Sequence, residues 1–290
     1  MDLVVIGSFT RSILIELARQ LGYFDDPGIE VKETSVSSSP EQFELLEKSE
    51  INLAITNPDN VLAYRFLKNN PLNRNFDARI LGAVDRGLNV CLCLRPNASE
   101  TLETFGVDVP NSGFAFVGYE LLSNYGYKYG SYKVISLGST PKRRLELIGG
   151  SVDATILNAG NEIKALSLGA KKVGDVSEIG PYIGTVFSTI GVPSQSILNV
   201  INILNHVSSE ILQRKHRDRV IHIAMNNLDI SQQQADEHYE ILCNSTHGLV
   251  PEGRVDRPSI QTLIDLRRKY LPSDELDNIM KDIDALVNTK

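Results

Sequence analysis

The sequence predicts an α/β protein made of two similar halves and finished by a run of helices. Three observations carry this. Short apolar runs alternate with amphipathic stretches through the first two thirds of the chain. After Phe187 strand patterns become scarce and helical ones dominate. Finally, residues 40–57 lie over residues 141–158 without a gap when the chain is shifted by 101 positions. The alternation is that of α/β units with largely parallel strands.

Taken in order, Leu3–Gly7 reads as a buried strand and Arg11–Gly22 as an amphipathic helix closed by glycine. A strand with alternating sides follows in GIEVKET, then a helix over Pro40–Lys48 entered through Ser39-Pro40. Ile51–Thr56 is the next strand and Pro58 to about Asn69 the next helix, with further strands at Ala78–Val84 and Leu88–Leu94. The second alternation, from about Gly106 to Val176, predicts helices over Phe114–Tyr125, Pro141–Ile148 and Asn161–Leu168, and strands over Tyr132–Ser136 and Val152–Leu157. The final helices are expected over Pro193–Val207, Lys215–Asn227, Gln232–Cys243, Pro258–Tyr270 and Asp274–Val287.

The internal match pairs PEQFELLEKSEINLAITN with PKRRLELIGGSVDATILN. Pro40 meets Pro141, Ile55 meets Ile156, and Asn57 meets Asn158. Two α/β halves would then offer their strand ends to one crevice, the place where open α/β sheets bind ligands. Asn57 and Asn158 are expected to reach into that crevice from opposite walls. Each also suits the ordinary task of capping the helix or turn that follows.

Composition narrows the function. At 290 residues the chain is long enough for one large domain or two modest ones, and 42% hydrophobic with 22% charged residues is ordinary for a globular protein. A net charge of −7 argues against nucleic acid as a partner. No apolar run approaches the roughly 18 residues of a membrane span, so no membrane insertion is expected. The start, MDLVVIGSF, has an acid at position 2 and no cationic leader segment. A cytoplasmic location is expected if the chain is full length, and a periplasmic or extracellular one if a leader was trimmed. Three cysteines, an odd number, do not suggest a disulfide framework. Cys91 and Cys93 share one strand face, and all three are read as small buried hydrophobes.

Several stretches together resemble a known fold family: ELARQLGYFDDPGIEVK, EINLAITNPDNVLAY, GAVDRGLNVCLCLRP, NSGFAF, GSTPKRRLELIGGSVDATILN and HGLVPEGRVDRPSIQTLIDLRRKY. Their order and spacing are similar to the type 2 periplasmic-binding-protein fold. The subgroup is that of sulfonate, taurine and nitrate solute-binding proteins of ABC importers, together with the thiamine-pyrimidine-synthesis proteins. The resemblance implies two lobes around a central cleft, with two crossing segments near Asp85–Asn89 and Gly180–Phe187. It places residues 1–87 and 187–290 in the first lobe and 88–186 in the second, the carboxy-terminal helices packing on the first. It further implies a small-molecule ligand between the lobes and an ABC permease as partner.

Candidate contacts follow from loops at helix entrances. Ser8, Thr10 and Arg11 lie in GSFTRS, where free backbone N–H groups suit an anion. Ser38, between Ser37 and Ser39, opens the next helix. In the second half Ser112, Gly113 and Phe114 are ranked highest: Gly113 permits close approach, and Phe114 can lie against an apolar body. Ser139 and Thr140 add hydroxyls. Arg86 either pairs with Asp85 or is free to hold an anionic group. With no tryptophan, stacking must come from Phe9, Tyr64, Phe114, Tyr182 or Phe187.

No nucleophile elbow, phosphate loop, His-Glu-x-x-His or Cys-x-x-Cys motif is present, and no catalytic residue, cofactor or metal is expected. Cys243 and His247 are the one conceivable dyad. Binding of a small polar or anionic organic molecule is the preferred function. The alternative is a cytosolic enzyme on the same fold, such as a decarboxylase, isomerase or biosynthetic lyase.

Overall fold

The computed structural model describes residues 2–25, 28–99 and 101–279. Two mixed five-stranded sheets form its two lobes. The first contains β1 (Asp2–Ser8), β2 (Ile29–Ser35), β3 (Leu53–Thr56), β4 (Ala78–Asp85) and β10 (Thr185–Ile190), in the order β2-β1-β3-β10-β4. The second contains β5 (Cys91–Leu94), β6 (Thr104–Val107), β7 (Lys133–Ser136), β8 (Ala154–Leu157) and β9 (Lys171–Asp175), in the order β7-β6-β8-β5-β9. Between strands run α1 (Ile13–Gln20), α2 (Ser39–Glu47), α3 (Pro58–Phe66), α4 (Gly113–Asn124), α5 (Thr140–Ile148) and α6 (Asn161–Ser167). The tail is α7 (Gln195–Leu212), α8 (Arg217–Leu228), α9 (Gln232–Leu242), α10 (Arg257–Tyr270) and the short α11 (Leu276–Ile279). The rest of the helix expected over Asp274–Val287 lies outside the described residues.

The internal match is structural. Shifted by 101 positions, α2 and β3 fall on α5 and β8 with the same bounds. The inner glycines of β1 and β6 show why. A Cβ on Gly7 would meet Ile51 at 2.5 Å and Val36 at 3.5 Å, and one on Gly106 would meet Leu137 at 2.7 Å and Val152 at 3.2 Å. These are the same two positions in each half, so each half needs a glycine where β1 or β6 is overlaid by the residue after its parallel neighbour β2 or β7 and the residue entering β3 or β8.

Strand direction corrects the expectation of largely parallel sheets. The pairs β1–β2, β1–β3, β6–β7 and β6–β8 are parallel, whereas β10 runs antiparallel to β3 and β4, and β5 antiparallel to β8 and β9. The chain crosses between sheets after β4 and before β10, and each crossing delivers a strand pointing the other way. β6, β9 and β10 were not anticipated. They are short or carry glycine, lysine and serine, so their pattern is weak.

Burial follows the connectivity. β1, α1, β10, α7, α8 and α9 share one apolar core, which seats most of the tail on the first sheet. A second core is not confined to one lobe: it runs from Val61 and Tyr64 through Tyr182 and Leu263 to Phe116 and Phe105. Helix α10 bridges the lobes there. Its Arg267 forms a two-pronged ion pair with Asp59 of α3, at 2.7 and 2.5 Å, and donates to the Asn111 carbonyl at 3.1 Å. The guanidinium also sits 5.0 Å from the Phe116 ring centre.

Candidate functional site: a cavity between strand ends

Strand carboxy termini and helix amino termini of both sheets converge on one cavity of ≈ 340 Å³, at the lower end of the volumes that hold small organic ligands. Its walls carry the residues just before and inside α1, α2, α3, α4 and α5, with the ends of β4, β8 and β10 between them.

Local sequence explains the polar rim. Ser38 Oγ accepts from Glu41 N–H at 3.4 Å and Ser112 Oγ from Ala115 N–H at 3.1 Å, so each caps the helix it precedes. Ser112 also donates to Asp108 at 2.5 Å. Ser12 precedes α1 without a side-chain cap of its own. Its N–H instead donates to Glu33 of β2 at 2.9 Å, and Ser8 Oγ donates to the same oxygen at 2.6 Å. Burial raises the Glu33 pKa, while those hydrogen bonds hold it down. A carboxylate of the protein therefore already stands at the amino end of α1, where the sequence suggested a ligand anion.

The two asparagines cap and tie at once. Asn57 Oδ1 accepts from Asp59 N–H at 2.9 Å, while its Nδ2 donates to Tyr182 Oη and the Gly184 carbonyl, both at 3.2 Å. Asn158 Nδ2 donates to the Gly87 carbonyl at 3.2 Å, and its Oδ1 accepts from Thr140 at 3.4 Å. Both line the cavity, with their amides committed to the crossing segments. Backbone meets backbone where those segments cross: a Cβ on Gly184 would lie 2.2 Å from Gly87 Cα. Asp85 closes the crossing, its carboxylate accepting from Gly87 N–H at 2.7 Å and from Thr185 Oγ1. Burial pushes its pKa up to about 6.

Of the residues singled out from sequence, Ser8, Thr10, Arg11, Ser38, Asn57, Ser112, Gly113, Phe114 and Asn158 are brought together around the cavity. Arg86 is not. Its Nη1 lies 3.4 Å from both the Tyr182 carbonyl and Asp256, so the expected partner Asp85 is replaced by an acid at the start of α10. Gly113 does permit a close approach, but of the opposite wall: a Cβ there would stand 2.6 Å from Asn57 Oδ1 and from Asp59 Cβ. Of the aromatic candidates, Phe9 and Phe114 line the cavity, whereas Tyr64 stacks on Phe43 at 4.0 Å, and Tyr182 and Phe187 are buried outside the lining.

Sequence reading missed three titratable lining residues. Asp108 precedes the α4 loop. His238 lies on the buried face of α9 with Ala235, Tyr239 and Leu242, and burial lowers its pKa to about 4, so the imidazole is neutral at pH 7. Arg143 is buried in α5 and donates to Ile156 O, Gly138 O and Thr140 Oγ1 at 3.2, 2.6 and 3.0 Å. The internal match offered a signal for it, since Arg143 falls on the polar Gln42 in an otherwise apolar helix face.

Comparison with solved structures agrees with this geometry. The conserved Candida albicans CA3427 gene product, which defines a family exhibiting the generic periplasmic binding protein structural fold, superposes with a TM-score of 0.76 at 17% identity, covering 100% of this chain and 97% of its own. The chain has the periplasmic-binding-protein fold. The zinc-bound ligand-binding component of an ABC-type import system from Staphylococcus aureus matches with a TM-score of 0.71 at 13% identity, over 93% of this chain and 92% of that one. The alkanesulfonate-binding protein SsuA from Xanthomonas axonopodis pv. citri, bound to MOPS, matches at 0.71 and 15% identity over 94% of each. No protein-family model matches the sequence, and no curated protein does. Among the described residues, no three His, Cys, Asp or Glu side chains are grouped to hold a metal ion, and no helix is long and apolar enough to cross a membrane.

Proposed function

We propose that the protein binds a small organic molecule in the cavity between its lobes and acts as a solute-binding protein of the ABC-importer type, with an ABC permease as its partner. The observation that carries this reading is the cavity itself: it is walled by strand-end loops of both sheets and lies against the two glycine crossing segments, Gly87 and Gly184. Fold neighbours from S. aureus and X. axonopodis that are import or alkanesulfonate-binding components support it. The described parts of residues 1–87 with 187–290, and of residues 88–186, are the two units that open and close about those crossings. Ser8, Thr10, Arg11, Ser38, Ser112, Gly113 and Phe114 face the ligand, while Asn57 and Asn158 couple the ligand's walls to the hinge.

For the enzyme alternative, the two residues of its conceivable dyad each face another partner. Cys243 Sγ donates to the Ile211 carbonyl at 3.4 Å, and His247 Nε2 faces Asp175 at 3.8 Å. The test is a thermal-shift screen against sulfonates, nitrate, small carboxylates, pyrimidines and pyridoxal derivatives, followed by mass spectrometry of each hit after incubation. A stabilising compound recovered unchanged is the expected result. Recovery of a converted product would replace the binding reading with an enzymatic one.

A further inference from the structure

Arg143 and Gln42 occupy equivalent places in α5 and α2, 101 positions apart, and both are fully buried. Each performs the same structural task. Gln42 Nε2 donates to Ile55 O at 3.2 Å and Gly7 O at 2.9 Å; Arg143 Nε donates to the equivalent Ile156 O at 3.2 Å. A neutral amide suffices for that task in one lobe, so the positive charge in the other is surplus to it.

That charge has no direct counterion. Of the five N–H donors of a guanidinium, three serve the neutral oxygens of Ile156, Gly138 and Thr140, leaving one on each terminal nitrogen. No carboxylate is within ion-pair distance among the described residues; Asp108 acts on Arg143 only from farther off, and burial weakens the guanidinium's hold on its proton. A buried cation left this way is costly unless something pairs with it. Arg143 lines the cavity. The other charges there are committed or peripheral. Asp85 accepts from Gly87 and Thr185, Asp108 accepts from Ser112, and Arg11 is exposed at the rim.

We infer that Arg143 is the residue through which the cavity selects an organic acid, whose carboxylate or sulfonate takes the guanidinium's two free N–H donors while its apolar body lies against Ile13, Leu14 and Phe114. The inference rests on the reading of this cavity as a ligand site. A charge-assisted, two-pronged contact of this kind distinguishes an acid from its neutral amide.

The experiment is calorimetric titration with two charge-differing pairs, hexanoate against hexanamide and hexanesulfonate against hexanesulfonamide, on the natural protein and on Arg143→Gln. The natural protein is expected to bind each acid at least about tenfold more tightly than its amide. Arg143→Gln is expected to keep a melting temperature within a few degrees, because a glutamine at that place in α5 can do what Gln42 does in α2, and to lose the preference. Equal binding of acids and amides by the natural protein, or a preference that survives in Arg143→Gln, overturns the inference and leaves the ligand site standing. The natural-protein comparison needs no variant to fold. Failure of the natural protein to bind any of the four probes also overturns it. Native mass spectrometry of protein purified from cells then shows separately whether the cavity carries a small molecule, on which the broader reading depends.

Discussion

Asn57 and Asn158, 101 positions apart, each reach from a strand end of their own lobe to a backbone carbonyl in a crossing segment, Gly184 for the first and Gly87 for the second. The two glycines lie against each other, so both asparagines act on a single junction. Asn57 carries more, since it also caps α3 and donates to Tyr182. Asn57→Ala is expected to cost about 2 kcal/mol of stability, a cap plus a buried hydrogen bond, and Asn158→Ala about 1 kcal/mol. Urea unfolding measures both. Equal small losses would mean that water replaces the ties to the hinge.

Gly113→Ala tests closure. The residue begins a helix, where alanine is intrinsically the better former by about 1 kcal/mol. The nearest atoms that a methyl group would meet belong to Asn57 and Asp59, across the cleft at 2.6 Å. The substitution is therefore expected to hold α4 away from α3, raising the radius of gyration in solution scattering and weakening ligand binding roughly tenfold. An unchanged radius would mean that a local shift absorbs the methyl group.

How much of this was legible depended on locality. The capping serines Ser38 and Ser112 announce themselves because a cap is a contact within a few residues, and the apolar periodicity of α1 or α7 survives without tertiary information. Strand direction does not: the antiparallel course of β5 and β10 is set by where the chain crosses between sheets. Site residues fail for the same reason. Arg86 sits beside Asp85 in sequence but pairs with Asp256, 170 positions away. Conversely, nothing in the residues beside Arg143 or His238 marks them as members of one site, and only the fold turns both toward one cavity.

The ion pair between Asp59 and Arg267 is buried, with 0% and 4% of the side chains exposed, and it joins α10 to both lobes. Removing one partner strands the other charge in the core. Arg267→Ala is expected to cost about 3–5 kcal/mol, whereas the double variant Asp59→Leu with Arg267→Met is expected to recover most of that loss. Chemical denaturation of the three proteins decides it. A double variant as unstable as the single one would show that the Asn111 and Phe116 contacts of Arg267, rather than its charge pairing, hold the bridge.

Protonation of His238 gives the pH prediction. Burial in α9 lowers its pKa from 6.5 to about 4, and no positive neighbour is involved. Folding therefore favours the neutral ring. The associated stability is fully present above pH 6.5 and is lost as the pH falls toward 4, amounting to about 3 kcal/mol across that window. Asp85, pushed up to about 6, and Glu162, pushed up to about 8, have the opposite sign: their burial favours the protonated acid, so each contributes stability as the pH falls. The net curve can thus be shallow although each contribution is large. The difference between the natural protein and His238→Leu isolates the histidine, because the two carboxyl groups cancel in the subtraction. Relative to the natural protein, the variant should gain stability progressively from pH 6.5 to pH 4 in urea unfolding. A difference independent of pH would mean that the ring takes up its proton equally in the folded and unfolded protein, so that burial does not shift it.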